Sequence, residues 1–297
     1  MYSTSKLQPI PAHRVTGDPA TNEKIQQLWL HGKSRHTQEL YRRTIVRLNQ
    51  ATGNKPLAWL TLEDIQQFCE LLESENLGAS SRRTYISAAK SLLSFASKSG
   101  LIHFNVGASV KPPVAKDRLS ERILDRDELN ALLDSYGSAK SQHLCDRNKL
   151  IIKLFYYGGL RVSELINLTW QDLNGEYLNV FGKGSKTRTI RLPRFLVEDL
   201  KQFKPQGTKR GDYIFISQRS QTKLRRESVT QLIKAIAVEV GIDKPVSSHT
   251  LRHCHATNSL EKGAPISLVK ETLGHSSVAI TSKYLHVRPD QSSSLFL

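Results

Sequence analysis

The chain has 297 residues, of which 38% are hydrophobic, and its 43 Lys and Arg residues against 27 Asp and Glu residues leave a formal net charge of +16. This length allows two domains with cores of their own, and the hydrophobic fraction excludes a disordered chain. The excess of positive charge is larger than solubility requires, and it favours a polyanion partner, most simply nucleic acid, over a merely basic surface.

The chain shows no sign of membrane insertion or secretion. Its longest apolar runs are too short to span a bilayer, and its N-terminus lacks the apolar core of a signal peptide. Cys69, Cys145 and Cys254 are far apart and odd in number, so they predict neither a disulfide framework nor a paired metal ligand. We expect a cytoplasmic protein without membrane contact, whose cysteines are packing residues.

The first third of the chain is predicted to be helical. Residues 1–20 are interpreted as a flexible leader and residues 21–105 as a domain of four helices, because apolar residues recur at helical spacing and no stretch alternates with period two. Thr61 precedes two acids and predicts a helix N-cap. The first apolar stripe comprises Ile25, Leu28 and Leu30. The DNA contacts that we assign to this domain are Arg42, Arg43, Arg82 and Arg83.

A linker is predicted to follow this domain. Residues 106–123 combine a Pro-Pro pair with small and basic residues, which is typical of an extended segment. Two lobes joined in this way could close around a duplex as a C-shaped clamp.

A second domain is predicted over residues 124–287, with a tail at 288–297. Asp125 predicts a helix N-cap, and residues 149–157 predict a buried helix that ends at a pair of glycines. Residues 177–181 and 187–192 alternate with period two around a lysine-rich turn and predict a β-hairpin. We predict a further short strand at 213–216 and helices from Ser228 onward. The fold class is therefore mainly α with a small β-hairpin or sheet.

The first candidate site residues lie just after the glycine pair. Arg161 is expected at a helix start, where a guanidinium and free backbone N–H groups can meet a phosphate together. Glu164 can hold Arg161 in place, although on this segment alone an ordinary i,i+3 surface pair is the simpler interpretation. Lys183 lies in the hairpin turn and could protonate a leaving oxygen. Lys186 and Arg188, close by, are interpreted as DNA contacts.

Two histidines and an arginine form the next candidate group. His249 and Arg252 are three residues apart on one predicted helix, so they can share one anion, which Arg252 can grip with two parallel hydrogen bonds. His249 and His253 have the spacing of zinc ligands, but no carboxylate stands on their face, and we predict no metal site. His275 follows a helix end marked by Leu-Gly, which exposes it.

Tyr284 is the candidate nucleophile. A free tyrosine hydroxyl has a pKa near 10, so it needs cationic neighbours and a polarised target before it attacks. The arginines, the histidines and Lys183 would provide that surrounding, and they would neutralise a phosphoryl transition state in place of a metal ion.

In this order, the segments resemble the tyrosine recombinase, or phage integrase, family from about residue 21 to residue 287. Residues 159–165, GLRVSEL, resemble its first arginine box, and residues 182–188, GKGSKTR, its hairpin lysine segment. Residues 249–253, HTLRH, resemble its H-x-L-R-H box. Residues 273–277, LGHSS, with Tyr284 nine residues after His275, resemble its terminal box. Residues 36–41 and 80–95 are similar to the family's core-DNA-binding domain.

The resemblance implies a site-specific DNA recombinase that cuts and rejoins strands through a 3′-phosphotyrosine. Tyr284 would attack, Lys183 would protonate the 5′ oxygen, the arginines would bind non-bridging oxygens with help from the histidines, and Glu164 would support them. The implied catalytic set is Arg161, Lys183, His249, Arg252, His275 and Tyr284. No metal, ATP or other cofactor is implied.

The resemblance also implies partners. Family members act as tetramers on two double-stranded DNA sites, for integration, excision or resolution, and some need an accessory protein or a second recombinase. We expect the apolar end of the tail, residues 292–297, to be exchanged between protomers. The short leader leaves no room for an arm-site domain, so we expect a Xer-like or simple mobile-element enzyme.

Two alternatives stay open. A type IB topoisomerase-like relaxing enzyme shares the same chemistry and would relax supercoils without site preference. A non-catalytic DNA-binding accessory protein would carry a dead site, against which the intact set of candidate residues argues.

Overall fold

The computed structural model describes residues 19–114, 123–135, 141–182 and 187–275, together with residues 277 and 281. Residue contacts divide the chain into two compact units, residues 1–116 and 117–297, which we call the N-terminal and the C-terminal unit. Over the ranges just given, no helix is both long enough and apolar enough to cross a bilayer.

The N-terminal unit is helical, as predicted. Its α-helices are α1 (Pro19–Leu30), α2 (Arg35–Ala51), α3 (Leu62–Ser74) and α4 (Ala79–Lys98), with a 3-10 turn at Leu57–Trp59. The Thr61 hydroxyl accepts from the Asp64 N–H, and the Asp64 carboxylate accepts from the Thr61 N–H, so the predicted cap is confirmed as a reciprocal capping box.

The core of this unit lies where α2, α3 and α4 meet. Its fully buried side chains include Leu48, Phe68, Leu72, Leu92 and Leu93. The predicted stripe of α1 is wrong at one position, because Leu28 is exposed whereas Ile25 and Trp29 are buried. Trp29 stacks on Tyr41 of α2, and this contact sets the face that α1 turns inward.

The segment predicted as an extended linker starts differently. Residues Val106–Ser109 form a 3-10 helix, and the Asn105 side chain accepts from the N–H of Gly107. The Lys90 ammonium donates to the carbonyls of Ala108 and Val110, and a β-carbon at buried Gly107 would meet Leu93. The linker prediction is therefore wrong for the first residues after 105, because a lysine on α4 and the absence of a side chain at 107 fasten them to α4.

The C-terminal unit combines helices with a small sheet. Its helices are α5 (Arg126–Asp134), α6 (Gln142–Tyr157), α7 (Val162–Leu165), α8 (Arg194–Phe203), α9 (Arg226–Glu239), α10 (Ser248–Glu261) and α11 (Ile266–Leu273). Asp125 caps α5 in a capping box with Glu128, as predicted. α6 is the central helix, because Ile151, Ile152, Leu154 and Phe155 are all fully buried.

The predicted hairpin is confirmed, and a third strand extends it. The strands β1 (Leu173–Asn174), β2 (Tyr177–Phe181) and β3 (Thr187–Arg191) form an antiparallel sheet in the order β1-β2-β3, in which Asn179 faces Thr189. The strand predicted at 213–216 is wrong, since only isolated bridges occur there, from Thr169 to Tyr213 and from Ile216 to Lys223. Cys145 and Cys254 are buried free thiols, in agreement with their predicted packing role.

Candidate functional site

The first arginine box lies at a sharp turn between α6 and α7. Gly159 has a φ of +56°, a conformation that favours glycine, and a β-carbon there would lie 2.7 Å from the Leu273 side chain. Arg161 follows as the N-cap of the one-turn helix α7. The glycine therefore allows the box to approach the end of α11, 114 residues later in the chain, counted from Gly159 to Leu273.

Arg252 fastens these two segments together. Its guanidinium is 3% exposed and donates to the carbonyls of Gly159 and Leu273. Each Nη atom thus uses one N–H on a backbone carbonyl, and the predicted grip on a phosphate stays a prediction. A guanidinium carries five N–H donors, so these two bonds fix its orientation without using all its donors.

Arg161 and Glu164 form a directed pair. The Arg161 Nη1 donates to Glu164 Oε1 at 2.8 Å, and its Nη2 donates to the Gly274 carbonyl at 3.1 Å. The backbone N–H of Arg161 donates to Glu164 Oε2 at 2.8 Å. Glu164 thus holds both the side chain and the backbone N–H of Arg161, so this N–H is not among the free backbone groups that could meet a phosphate. Glu164 is 2% exposed, so the two residues are not an ordinary surface pair.

Arg188, predicted to contact DNA, is largely buried, with 12% of its side chain exposed. Both of its Nη nitrogens donate to the Glu164 carboxylate at 2.8 Å, and its Nε donates to the Thr272 carbonyl at 2.6 Å. Burial alone raises the pKa of the Glu164 carboxyl. The bonds from Arg188 and Arg161 outweigh burial and hold that pKa below its ordinary value, so Glu164 is an anion at neutral pH.

His275 is placed by the end of α11, as predicted. Gly274 is left-handed at φ 62° and ψ 46°, its N–H bonds the Glu271 carbonyl, and the His275 N–H bonds the Lys270 carbonyl. This Schellman-type end turns the chain so that His275 leaves the helix axis. Its Nδ1 lies 2.9 Å from the hydroxyl of the buried Thr281.

The charges of Arg161 and Arg252 act on both candidate histidines. Burial lowers the pKa of His275 to about 4, and the charges of Arg252 and Arg161 act in the same direction. The pKa of His249 is also lowered, first by burial and then by the same two arginines and Arg226. Both imidazoles are therefore neutral at neutral pH, and they stand beside two cations that an anion would neutralise.

His255 is a residue that sequence reasoning missed. Its Nδ1 lies 2.7 Å from the Tyr156 carbonyl, and its ring packs against Gly159, so it joins α10 to the end of α6. Burial lowers the pKa of His255 to about 4, and the nearby Arg252 and Arg188 charges add to this effect. No local sequence signal marks this role, because the space for the ring is created by a distant glycine.

We expect the stability of the C-terminal unit to depend on His255 between pH 7.5 and pH 5. The folded pKa of His255 lies below the ordinary 6.5, so the unfolded chain takes up the proton first and stability is lost as pH falls from 6.5 towards 4. This group alone lowers the free energy of unfolding by about 2 kcal/mol at pH 5. Urea denaturation of His255→Gln at both pH values should show a correspondingly smaller loss. The control is His143→Gln, because His143 is exposed in the same unit. If His255→Gln lost as much stability between the two pH values as the wild type, the assignment would be contradicted.

Some predicted residues lie outside the described residues, namely Lys183, Lys186 and Tyr284. Their roles stay predictions. Within the part of the chain that the structure describes, no group of three His, Cys, Asp or Glu side chains is arranged to hold a metal ion. The rings of His249 and His253, the candidate zinc pair, are 6.5 Å apart.

The arginines predicted to contact DNA from the N-terminal unit differ in their surroundings. Arg42, Arg43 and Arg83 are exposed on α2 and α4, so they are accessible to a polyanion. Arg82 is half-buried and paired with Glu73, which ties α4 to α3. The structure thus leaves Arg82 less suited to DNA contact than its three neighbours.

Comparison with protein families and curated proteins gives concordant matches. The model described as "Phage integrase family" matches residues 122–291, and "Phage integrase, N-terminal SAM-like domain" matches residues 25–100. Tyrosine recombinase XerD of Oceanobacillus iheyensis is 32% identical over 269 residues, which cover 86% of this chain and 89% of that protein. Tyrosine recombinase XerC of Alcanivorax borkumensis is 31% identical over 261 residues, which cover 86% of this chain and 84% of that protein.

Solved structures show the same fold. A lambda integrase fragment crystallised as a dimer on a core site is 21% identical, with a TM-score of 0.75 over 92% of this chain and 96% of that chain. XerH site-specific recombinase in a post-cleavage complex with palindromic difH is 21% identical, with a TM-score of 0.72 over 89% of this chain and 81% of that chain. On the family models and the curated relatives together, the chain belongs to the phage integrase family of tyrosine-type site-specific recombinases.

Proposed function

We propose that this chain recombines double-stranded DNA at specific sites by attack of Tyr284 on a scissile phosphate. The observation that carries the proposal is that Arg161 and Arg252 hold the neighbouring carbonyls of Gly274 and Leu273 at the end of α11, and that both charges act on His249 and His275. Such a group of two guanidiniums and two neutral imidazoles suits a phosphodiester anion, whose charge grows in the transition state.

The Tyr284 oxygen forms a bond to phosphorus and gives up its proton, for which the neutral His249 ring is a suitable acceptor. The bond from phosphorus to the 5′ oxygen breaks, and the Lys183 ammonium gives that oxygen a proton. The product is a 3′-phosphotyrosine and a free 5′-hydroxyl. Attack by the 5′-hydroxyl of another strand reverses these transfers and rejoins the DNA in a new arrangement.

Neither a metal ion nor ATP is required in this scheme. The arginines, His275 and Lys183 provide the positive charge and the hydrogen-bond donors that a phosphoryl transition state needs. The energy of the broken phosphodiester is kept in the phosphotyrosine, so rejoining needs no further source.

DNA is the proposed partner, and the cytoplasm, where DNA is accessible, is the proposed compartment. The net charge of +16 and the exposed arginines on α2 and α4 support binding to a duplex. Lambda integrase has been crystallised as a dimer on a core site and as a tetramer on a Holliday junction. By analogy we propose a homotetramer on two sites, with the tail at 292–297 exchanged between protomers.

The test is a nicked suicide substrate, in which the cleaved end diffuses away and traps the covalent complex. Candidate sites come from DNA flanking the gene, and the reaction contains EDTA. We expect a protein–DNA band that survives SDS and maps to one position in one site. Salt-sensitive binding without such a band at any site would instead support the accessory-protein alternative. Relaxation of supercoiled plasmids that lack the site would support the relaxing enzyme.

A further inference from the structure

Arg188 has the contacts of a residue that acts on Glu164. Its two Nη nitrogens each donate to one oxygen of the Glu164 carboxylate at 2.8 Å, the fork geometry of a bidentate pair. Its side chain is 12% exposed, and its Nε holds the carbonyl of Thr272 in the last turn of α11. Arg188 therefore meets the carboxylate from the side of the sheet and has little surface left for DNA.

Glu164 serves a second arginine at the same time. Its Oε1 also accepts from Arg161 Nη1, and its Oε2 from the Arg161 backbone N–H, both at 2.8 Å. One carboxylate thus lies between two guanidiniums. Arg161 is the outer one, with 34% of its side chain exposed. The three charges sum to one positive charge, and the accessible end of the group is Arg161.

Arg188 offsets the effect that the negative charge of Glu164 has on Arg161. Glu164 fixes the orientation of Arg161, but a carboxylate paired with Arg161 alone would cancel its charge and weaken its attraction for a phosphate. The second guanidinium neutralises the carboxylate from the buried side. Arg188 also holds the Thr272 carbonyl two residues before Gly274, whose carbonyl Arg161 binds, so both arginines grip the same turn.

We propose that Arg188 is a positioning residue that neutralises Glu164, so that Glu164 can orient Arg161 without cancelling the charge that Arg161 presents to the scissile phosphate. Arg188 itself does not touch the DNA. The inference rests on the proposed function, because it assigns Arg161 to the phosphate.

The experiment compares Arg188→Met with Arg191→Met. Arg191 lies on the same strand, β3, and also pairs with a glutamate, Glu176, but it is 70% exposed. Each variant loses one positive charge and one Arg–Glu pair, so general effects on DNA affinity are matched. Cleavage rates at saturating protein are measured on the suicide substrate with an ordinary phosphodiester and with a methylphosphonate, in which a methyl group replaces one non-bridging oxygen and removes the negative charge.

We expect Arg188→Met to cleave the phosphodiester about 100-fold more slowly than the wild type. On the methylphosphonate, its rate should be within about 5-fold of the wild-type rate, because an uncharged phosphorus centre needs no neutralisation. Arg188→Lys keeps the charge and should be at least about 10-fold faster than Arg188→Met on the phosphodiester. Arg191→Met should remain within about 3-fold of the wild type on both substrates. Equal losses of Arg188→Met on both substrates, or a lysine variant no faster than the methionine variant, overturn the proposal.

Circular dichroism melting establishes that each variant is folded at the assay temperature. If Arg188→Met does not fold, the double variant Arg188→Met with Glu164→Gln replaces it, since it leaves no buried charge unpaired. Its rate on the phosphodiester should be within about 10-fold of the wild type, and a loss of about 100-fold contradicts the proposal. Absence of covalent complex with the wild type on the phosphodiester would instead refute the proposed function, so the two failures are distinguishable.

Discussion

The variant Tyr284→Phe is expected to bind the recombination site with the affinity of the wild type and to form no covalent complex with it. The substitution removes one oxygen and keeps the aromatic ring, so packing and the basic DNA-binding surface are retained while the nucleophile is lost. Gel retardation at several salt concentrations measures binding, and the SDS-resistant band on the suicide substrate measures attack.

Tyr177→Phe is the matched control for this variant. Tyr177 belongs to the same unit, where it lies exposed on β2, and loss of its hydroxyl should leave the covalent band unchanged. A covalent band that persists in Tyr284→Phe would show that another side chain attacks the phosphate. Peptide mapping of the DNA-linked fragment would then identify it.

Local signals explain why much of the fold could be predicted. The caps at Thr61 and Asp125 depend on side chains within three residues, and the hairpin depends on a period-two pattern on both sides of one turn, so these elements are legible in short windows. α8 was not predicted, although Leu196, Val197 and Leu200 have helical spacing. Its first residue, Arg194, follows Arg188 and Arg191 of the hairpin and reads as part of the same basic segment. In α1, by contrast, Trp29 is buried because it stacks on Tyr41, whereas Leu28 is exposed.

The candidate site was predictable in its residues but not in all their contacts. The family resemblance predicted Arg161, His249, Arg252 and His275 as one set. In the structure, Arg161 and Arg252 hold the carbonyls of Gly274 and Leu273, and the charges of both arginines act on the two histidines. The role of Arg188 could not be read in the same way, because its partners are 24 and 84 residues away and a basic run usually marks a solvated face. Only the fold determines that this arginine points inward.

Arg252→Lys is expected to lose both activity and stability. The guanidinium joins the buried residues Gly159 and Leu273 through two carbonyls, and a single ammonium group cannot span both and still meet a phosphate. A buried carbonyl left without a donor costs about 1–3 kcal/mol of unfolding free energy. Loss of one oriented donor at the phosphate should slow covalent complex formation by about 10²–10³-fold.

Urea denaturation and single-turnover cleavage at saturating protein separate the two effects. Arg194→Lys is the control, since Arg194 makes an exposed pair with Glu198 on α8 and its replacement should change neither quantity appreciably. A variant Arg252→Lys that is destabilised but cleaves at the wild-type rate per folded molecule would mean that Arg252 only braces the turn against the end of α11. A fall in rate that exceeds the loss of folded protein means that the guanidinium acts in cleavage itself, through its donors to the phosphate and its hold on the segments that carry Arg161 and His275.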